Sequence, residues 1–197
     1  MIRSFQVFDN FLENPGAVRE SALRVGFSTW NPGKGTASEA HLDGMGFGGA
    51  HATLTRALMQ ATGVVVAPQL THFRLTSTRT DRATIHSDAH MAPYTCIVYL
   101  SAQNPGSTAF WRHKETGLTS LPDNCDTGLF AKLTDDMAKS RSEDWEMIDV
   151  ISGEYNRALV FNAPLFHCRY PMEDRGTTDQ DSRLVWVSHF YNFQEMK

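Results

Sequence analysis

The segment Ile85-His86-Ser87-Asp88-Ala89-His90 places a histidine and an aspartate two residues apart. In an extended strand successive side chains point to opposite faces, so His86 and Asp88 would project to the same side. An imidazole and a carboxylate on one face can hold a single metal ion together. The segment therefore predicts a metal site on a β-strand, and a further ligand has to come from elsewhere in the chain.

His167 is the best candidate for that further ligand. It follows an apolar run, Arg157–Phe161, which is interrupted by Asn162–Pro164 before the histidine. Two histidines and one carboxylate form the facial set of ligands that non-haem iron(II) oxygenases use, which binds one side of an octahedron and leaves the other positions open. With its ligands on two strands, the arrangement predicts a closed β-barrel.

The other histidines carry weaker signals. His90 continues the alternation of His86 and Asp88, so it is expected beside the metal ligands or at the mouth of a substrate site, and a direct ligand in a cupin-like site is the alternative. The isolated histidines are interpreted as structural or surface residues, because lone histidines seldom bind metals. These are His41, His51 and His72.

Length and charge limit the class of protein. A chain of 197 residues is long enough for one domain with a full core and short for two. We expect a single domain, with a helical part over about residues 1–63 and a β core over about 64–193 that contains a helical insertion at about 115–141. The formal net charge is −4 without a block of one sign, so nucleic acid is not expected as a partner.

The sequence also predicts the cellular compartment. The first residues lack the pattern of a secretory signal, and no stretch has transmembrane length, so no membrane association is expected. The 3 cysteines lack Cys-x-x-Cys spacing, which argues against a disulfide framework and a structural zinc site. We therefore expect a cytoplasmic protein.

Short strand-like runs separated by turn residues fill most of the chain, which is typical of a sandwich or barrel. The predicted strands are Met1–Phe8, Val64–Val66, Thr71–Thr76, Ala83–His86, Tyr94–Leu100, Gly106–Trp111, Trp145–Ile151, Arg157–Asn162 and Arg183–Phe193. The predicted helices are Asn14–Val25, His51–Thr62 and Asp126–Lys139. The fold class is accordingly mainly β with flanking helices.

The segment Trp30–Gly49 is rich in glycine and lacks periodicity, so it is predicted to be a long loop. Its run Gly44–Gly49 matches a dinucleotide-binding pattern by letters, but no strand precedes it, and nucleotide binding is not expected. A loop beside a substrate site and a plain surface loop are the two interpretations of residues 43–49.

The order of His86-Ser87-Asp88, then His167, then an arginine at the start of a strand, resembles the 2-oxoglutarate- and iron(II)-dependent oxygenases, in particular their prolyl-hydroxylase-like branch. The resemblance covers about half of the chain, from Phe73 to Tyr191. It implies a double-stranded β-helix, that is a jelly roll, with His86, Asp88 and His167 as catalytic metal ligands. It also implies iron(II) as cofactor, 2-oxoglutarate and O₂ as cosubstrates, and hydroxylation of a substrate with release of succinate and CO₂.

The resemblance further implies an arginine that binds the distal carboxylate of 2-oxoglutarate. Arg183 opens a strand after a polar loop and is assigned this role, with Arg175 as the alternative, because in many members the arginine follows the second histidine more closely. Tyr94 and Trp186 are assigned to the cosubstrate pocket, with packing in the core as their alternative.

Two other functions stay open. A cupin-type metal enzyme would use His86, Asp88 or His90, and His167 without 2-oxoglutarate. A jelly-roll binding module without catalysis would use the histidines structurally. No residue of the sequence identifies the substrate, which is expected to be a small molecule or a peptidyl side chain. The oligomeric state cannot be predicted from the sequence either.

Overall fold

The computed structural model describes residues 5–25, 27–29, 38–41, 50–78, 82–103, 105–173 and 176–195. Within these ranges the strands are β1 (Phe5–Phe8), β2 (Ser28–Thr29), β3 (Ser38–His41), β4 (Val66–Thr76), β5 (Tyr94–Tyr99), β6 (Ser107–His113), β7 (Trp145–Ser152), β8 (Ala158–Asn162), β9 (His167–Tyr170) and β10 (Arg183–Asn192). The helices are α1 (Pro15–Val25), α2 (Ala50–Thr62) and α3 (Thr127–Lys139), and a short 3-10 helix, Phe193–Glu195, follows β10. None of the helices in these ranges combines the length and the apolar character needed to cross a membrane.

The strands form two antiparallel sheets. The large sheet has the order β1-β8-β5-β10-β4-β3-β2 and the small sheet the order β7-β6-β9. A core cluster joins residues of both sheets, among them Ile97, Phe161 and Val185 from the large sheet and Phe110 from the small one. The mainly β class with flanking helices is therefore confirmed. Instead of the closed barrel expected from the sequence, the described strands form two separate sheets.

Helices α1 and α2 contribute to a second core cluster on the other face of the large sheet. Leu54 and Leu58 of α2, one helical turn apart, are buried in the same cluster as Phe73 of β4 and Trp186 of β10. The aromatic rings of Phe73 and Trp186 have centroids 5.1 Å apart. One face of the large sheet thus packs in a helix-facing core, and the other face points toward the small sheet.

Helix α3 lies in the predicted insertion and starts as the sequence predicts. The side chain of Asp126 accepts a hydrogen bond of 2.9 Å from the backbone N–H of Leu129, which caps the first turn. Leu133 of α3 is buried in a third cluster with Trp145 and Phe166. The insertion therefore covers the small sheet and packs beside the strand that carries His167.

Two predictions about strands need correction. Ala83–His86 is not a strand of either sheet, since only His86 makes a single antiparallel bridge, to His167. The two predicted strands Val64–Val66 and Thr71–Thr76 are one continuous strand, β4. Pro68 lies inside it, where the pairing with β10 shifts register between His189 and Phe190, and this irregularity accommodates a residue without a backbone N–H.

The N-terminal part also differs from the expectation of a helical region. It contains α1 and α2, but β1 pairs with β8 and β3 pairs with β4, so it adds strands to the large sheet as well. Ser38–His41 forms β3 inside the segment predicted to be a loop. The glycine-rich run at residues 43–49 lies outside the described residues.

Candidate metal centre and its cavity

The structure brings the three predicted ligand residues together. One ligand atom from each of His86, Asp88 and His167 lies within 4.8 Å of the other two. The Nε2 atom of His86 is 3.8 Å from Oδ1 of Asp88, and the Nε2 atom of His167 is 3.3 Å from Oδ2. Two imidazole nitrogens and a carboxylate at these separations form a donor set that one divalent ion can hold.

Hydrogen bonds orient both histidine rings for a metal. Nδ1 of His86 donates to the carbonyl of Thr84 at 2.9 Å, and Nδ1 of His167 donates to the carbonyl of Leu165 at 2.8 Å. A carbonyl only accepts, so the proton of each neutral ring sits on Nδ1. The Nε2 lone pairs therefore face the shared space beside Asp88, which is the arrangement of a metal-binding histidine.

Backbone contacts hold the segment that carries His86 and Asp88, although it is outside the sheets. His86 and His167 exchange two N–H···O bonds of 2.9 Å each. The N–H of Ile85 donates to the hydroxyl of Ser140 at 2.7 Å, and the N–H of Asp88 donates to the carbonyl of Ala163 at 2.9 Å. The Ile85 side chain is buried in the cluster beneath α3, which turns the next side chain, His86, toward the opposite side.

Thr95 and His189 fix the carboxylate of Asp88, and neither was predicted from the sequence. The Thr95 hydroxyl donates to Oδ2 of Asp88 at 3.1 Å. Nδ1 of His189 lies 3.1 Å from the same hydroxyl, which can accept its proton, and 3.8 Å from Oδ2. The three side chains thus form a chain of polar contacts that ends at the carboxylate of the candidate metal site.

The surroundings of His86 and Asp88 keep these two side chains in the charge states that metal binding needs. Although solvent reaches the ring of His86, burial and the neighbouring His167 lower the pKa of His86 to about 4. Burial raises the pKa of Asp88, but the surrounding rings of His167, His86 and His189 lower it more, so the net pKa is well below its usual range. A neutral imidazole and an ionised carboxylate are therefore present at neutral pH.

The three residues line a cavity of about 610 Å³ to which both sheets contribute. Besides the ligands, the residues lining it include His72, Arg74, Arg82, Thr95, Ile97, Thr108, Arg169, Arg183, Val185, Val187 and His189. The cavity has the size of a small-molecule site, and its wall contains cationic groups and hydroxyls beside apolar side chains.

Arg183 occupies a buried position in this cavity. The residue is 4% exposed, and its Nε donates to the carbonyl of Pro105 at 3.1 Å. Its guanidinium lies over the ring of Tyr99, 5.7 Å from the centroid, and the Tyr99 hydroxyl contacts that of Thr108 at 2.7 Å. A Cβ atom at Gly106, which has φ +67°, would be 2.9 Å from Arg183 Nε, so the turn before β6 needs a glycine to admit this arginine.

Tyr94 and Trp186 do not lie in the cavity, which corrects their assignment to the cosubstrate pocket. Both are buried in the helix-facing core, where Tyr94 stacks on Phe190 with centroids 5.6 Å apart. The reason is the period of two along a strand: Arg183 and Trp186 are an odd number of residues apart and must face opposite sides. The same rule places Thr95, and not Tyr94, at the cavity.

The other sequence candidates have mixed outcomes. His90 is exposed in the turn after Asp88 and is not part of the three-residue cluster. Arg175 lies outside the described residues. His72, interpreted as structural or surface, lines the cavity with its ring 6.1 Å from that of His189. Strand alternation counted from Arg183 would have found His189. His72 could not be found in this way, because its place depends on β4 lying beside β10, which the sequence does not show.

Comparison with known proteins gives a family and a fold. The sequence model of a family described as a family of unknown function, DUF6445, matches residues 3–183. No curated protein shows a significant match to the chain.

Several solved structures resemble nearly the whole chain. SnoN, a non-heme alpha ketoglutarate dependent epimerase from nogalamycin biosynthesis, is 15% identical with a TM-score of 0.61, and the match covers 96% of this chain and 78% of SnoN. HygX from Streptomyces hygroscopicus, with nickel and 2-oxoglutarate bound, is 14% identical with a TM-score of 0.60 over 96% of this chain and 83% of HygX. SnoK, a non-heme alpha ketoglutarate dependent carbocyclase, is 10% identical with a TM-score of 0.58, covering 96% and 80% of the two chains. At these identities the likeness establishes a shared fold.

Proposed function

This chain belongs to the family of unknown function DUF6445, and we propose that it is an iron(II)- and 2-oxoglutarate-dependent oxygenase with a double-stranded β-helix (jelly-roll) fold. The observation that carries the proposal is the cluster of His86, Asp88 and His167 in a cavity that also holds the buried Arg183. The shared fold with SnoN and HygX supports it, since those proteins are described with alpha ketoglutarate or 2-oxoglutarate.

The donor set fits a divalent iron ion. Both Nε2 atoms are aimed at the space beside Asp88, and three protein ligands on one side leave open positions for other ligands. When bound there, iron(II) would supply the oxidative chemistry, in which 2-oxoglutarate and O₂ are converted to succinate and CO₂ while the substrate is oxidised. The task of Thr95 and His189 is to hold the carboxylate of Asp88 in one orientation.

Arg183 is the proposed anchor for the distal carboxylate of 2-oxoglutarate. Its guanidinium has five N–H donors in a planar fork that matches a carboxylate, and Pro105 accepts from Nε. The ring of Tyr99 supports the guanidinium, and the hydroxyl of Thr108 lies at the same wall. A buried arginine at this place favours a 2-oxoglutarate enzyme over a cupin-type enzyme that does not use this cosubstrate.

The proposed reaction is hydroxylation of an unactivated C–H bond, as in the prolyl-hydroxylase-like enzymes that the sequence resembles. A second outcome of the same cofactor chemistry is epimerisation or ring closure, because SnoN is described as an epimerase and SnoK as a carbocyclase. The product distinguishes the reactions, since only hydroxylation adds an oxygen atom to the substrate.

The test is to load the protein with iron(II), add 2-oxoglutarate and O₂, and measure succinate. We expect succinate from the unmutated protein and none from His167→Ala, whose folding is checked by circular dichroism. A protein that binds iron but forms no succinate would support the cupin-type alternative. A protein that binds neither iron nor 2-oxoglutarate would support a binding module in which the histidines are structural.

A further inference from the structure

The imidazole of His189 has a second nitrogen to which the candidate metal site gives no task. The residue is 4% exposed and lines the cavity. Its Nδ1 contacts the hydroxyl of Thr95 at 3.1 Å, whereas none of the residues that the structure describes forms a hydrogen bond with Nε2. Buried polar side-chain atoms generally have a partner, because an unpaired one costs free energy. The Nε2 atom therefore indicates a place where a ligand supplies the partner.

The contacts of Thr95 determine which nitrogen of His189 carries the proton. The Thr95 hydroxyl donates its one proton to Oδ2 of Asp88 at 3.1 Å, and an ionised carboxylate can only accept. Toward His189 the same hydroxyl can therefore only accept, so the proton of the neutral ring sits on Nδ1. Nε2 then has a lone pair and no hydrogen, which makes it a hydrogen-bond acceptor.

The position of His189 places this acceptor beside the candidate metal site. Nδ1 of the ring lies 3.8 Å from Oδ2 of Asp88, so Nε2 is at most one ring width further away. Thr95 lies opposite His189 in the pairing of β5 with β10, and the next pair on the cavity face is Ile97 opposite Val187. The acceptor is therefore followed along the two strands by an apolar stretch of the cavity wall.

The cosubstrate does not have the group that this nitrogen needs. As a dianion, 2-oxoglutarate has acceptor oxygens and no N–H or O–H group to donate. Its proposed anchor, Arg183, opens β10, whereas His189 lies toward the other end of that strand, about 20 Å away along an extended backbone. A donor for Nε2 is therefore expected on the substrate and not on the cosubstrate.

We propose that Nε2 of His189 accepts a hydrogen bond from a hydroxyl or uncharged N–H group of the substrate, close to the carbon that is oxidised. The inference rests on the proposed function and adds a substrate class to it, an uncharged donor next to an apolar part that Ile97 and Val187 contact. A molecule without the donor would bury Nε2 unpaired and should bind more weakly. Each nitrogen of His189 then has its own task, since Nδ1 orients Asp88 through Thr95 and Nε2 selects the substrate.

The experiment uses the full chain loaded with Zn²⁺, which has no redox chemistry, and with 2-oxoglutarate, at a pH of about 8, where imidazole is mostly neutral. Ligand-detected NMR measures binding of cyclohexanol and cyclohexyl methyl ether, and of N-cyclohexylacetamide and its N-methyl derivative. Each pair shares the apolar ring and differs in the donor. We expect the donor to bind up to about tenfold more tightly, which is the range of one uncharged hydrogen bond. A preference in the first pair would indicate a hydroxyl substrate, and in the second an N–H substrate.

Two substitutions of His189 separate the tasks of its two nitrogens. The amide of asparagine reaches the position of Nδ1, so His189→Asn keeps a donor for Thr95 and removes the acceptor at Nε2. The amide of glutamine reaches the position of Nε2, so His189→Gln keeps an acceptor there and removes the contact with Thr95. We expect His189→Asn to lose the preference for the donor probes at unchanged zinc and 2-oxoglutarate affinity. His189→Gln should keep the preference and bind zinc more weakly.

Long-range ¹H–¹⁵N NMR of histidine-labelled protein reports the protonation of the ring directly. The chain has 8 histidines, and the signals of His189 are those missing from His189→Asn. We expect Nε2 of His189 to be unprotonated in the zinc complex with 2-oxoglutarate. Its signal should shift when cyclohexanol is added and stay in place when the ether is added.

Three results would overturn the inference. The first is that the unmutated protein binds the donor probes no better than their counterparts, or binds none of them. The second is a proton on Nε2 of His189 in the unmutated protein, and the third is a preference that His189→Asn retains, which would assign the donor to another group. Failure of the unmutated protein to bind zinc and 2-oxoglutarate would instead refute the proposed function, and the inference with it.

Discussion

The two faces of the large sheet carry different kinds of side chain, although these alternate along the same strands. On β10 the cavity face presents Arg183, Val185, Val187 and His189. The helix-facing side of the same strand presents Leu184, Trp186 and Phe190. The candidate metal site therefore lies on the cavity face, whereas the other face packs in the helix-facing core. Substitutions on the cavity face should therefore reduce ligand binding, and substitutions on the helix-facing side should reduce stability.

The largest effect is expected from the metal ligands on the cavity side. His86→Ala, Asp88→Ala and His167→Ala should each abolish stoichiometric iron binding without unfolding the chain, because each removes one of three proposed ligands that face the cavity. Iron per chain is measured after loading and desalting, and weak residual binding is titrated. The exposed Asp123→Ala serves as control. A variant that keeps full iron content and activity would remove that residue from the ligand set.

Trp186→Ala tests the opposite face of the sheet. Trp186 is fully buried against Phe73, so its truncation should reduce the free energy of unfolding by about 3–5 kcal/mol. The remaining folded protein should still bind iron. Denaturant titration measures the effect, and Phe193→Ala, which removes a 58% exposed ring, should change stability by less than about 0.5 kcal/mol. Loss of iron affinity at unchanged stability would show that the two faces are not independent.

Arg183→Gln should weaken 2-oxoglutarate about a hundredfold and iron only slightly, because its proposed partner is the distal carboxylate and not the metal. Isothermal titration of each ligand measures the two affinities, with Arg112→Gln as the exposed control. If the variant binds 2-oxoglutarate normally while Arg175→Gln does not, the anchor must be moved to Arg175.

A smaller effect is expected at Thr95, which supports a ligand without being one. Thr95→Val keeps the shape of the side chain but removes the hydroxyl that donates to Asp88, so metal affinity should fall about tenfold. Competition with a chelator measures the affinity, and the exposed Thr134→Val is the control. An unchanged metal affinity would mean that Asp88 is oriented without Thr95.

The class of fold and the three residues of the candidate metal site could be predicted from the sequence because both have local sequence signals. His86 and Asp88 are two residues apart, and His167 follows a broken apolar run, so their order alone predicts a site. The backbone that presents them was predicted less well, since the segment is extended but held by a single bridge to His167 and by contacts to Ser140 and Ala163. Such contacts between distant segments leave no periodic pattern.

The misassignments of Tyr94 and Trp186 have a simpler cause. Both are aromatic residues in strands near the site, and the sequence alone does not tell which face of a strand is the inner one. Once Arg183 is taken to face the cavity, alternation excludes Trp186 and selects His189. Arg74 and Thr95 could not be found in this way, because they depend on which strands lie on each side of β10.

The proposed function requires that a metal held by His86, Asp88 and His167 binds 2-oxoglutarate together with Arg183. Titration of 2-oxoglutarate into the unmutated chain, first with Ni²⁺ bound and then after its removal by a chelator, tests the claim without any knowledge of the substrate. We predict one binding site per chain that is present with the metal and lost or greatly weakened without it. Equal affinity in the two states, or no binding in either, would contradict the proposed function.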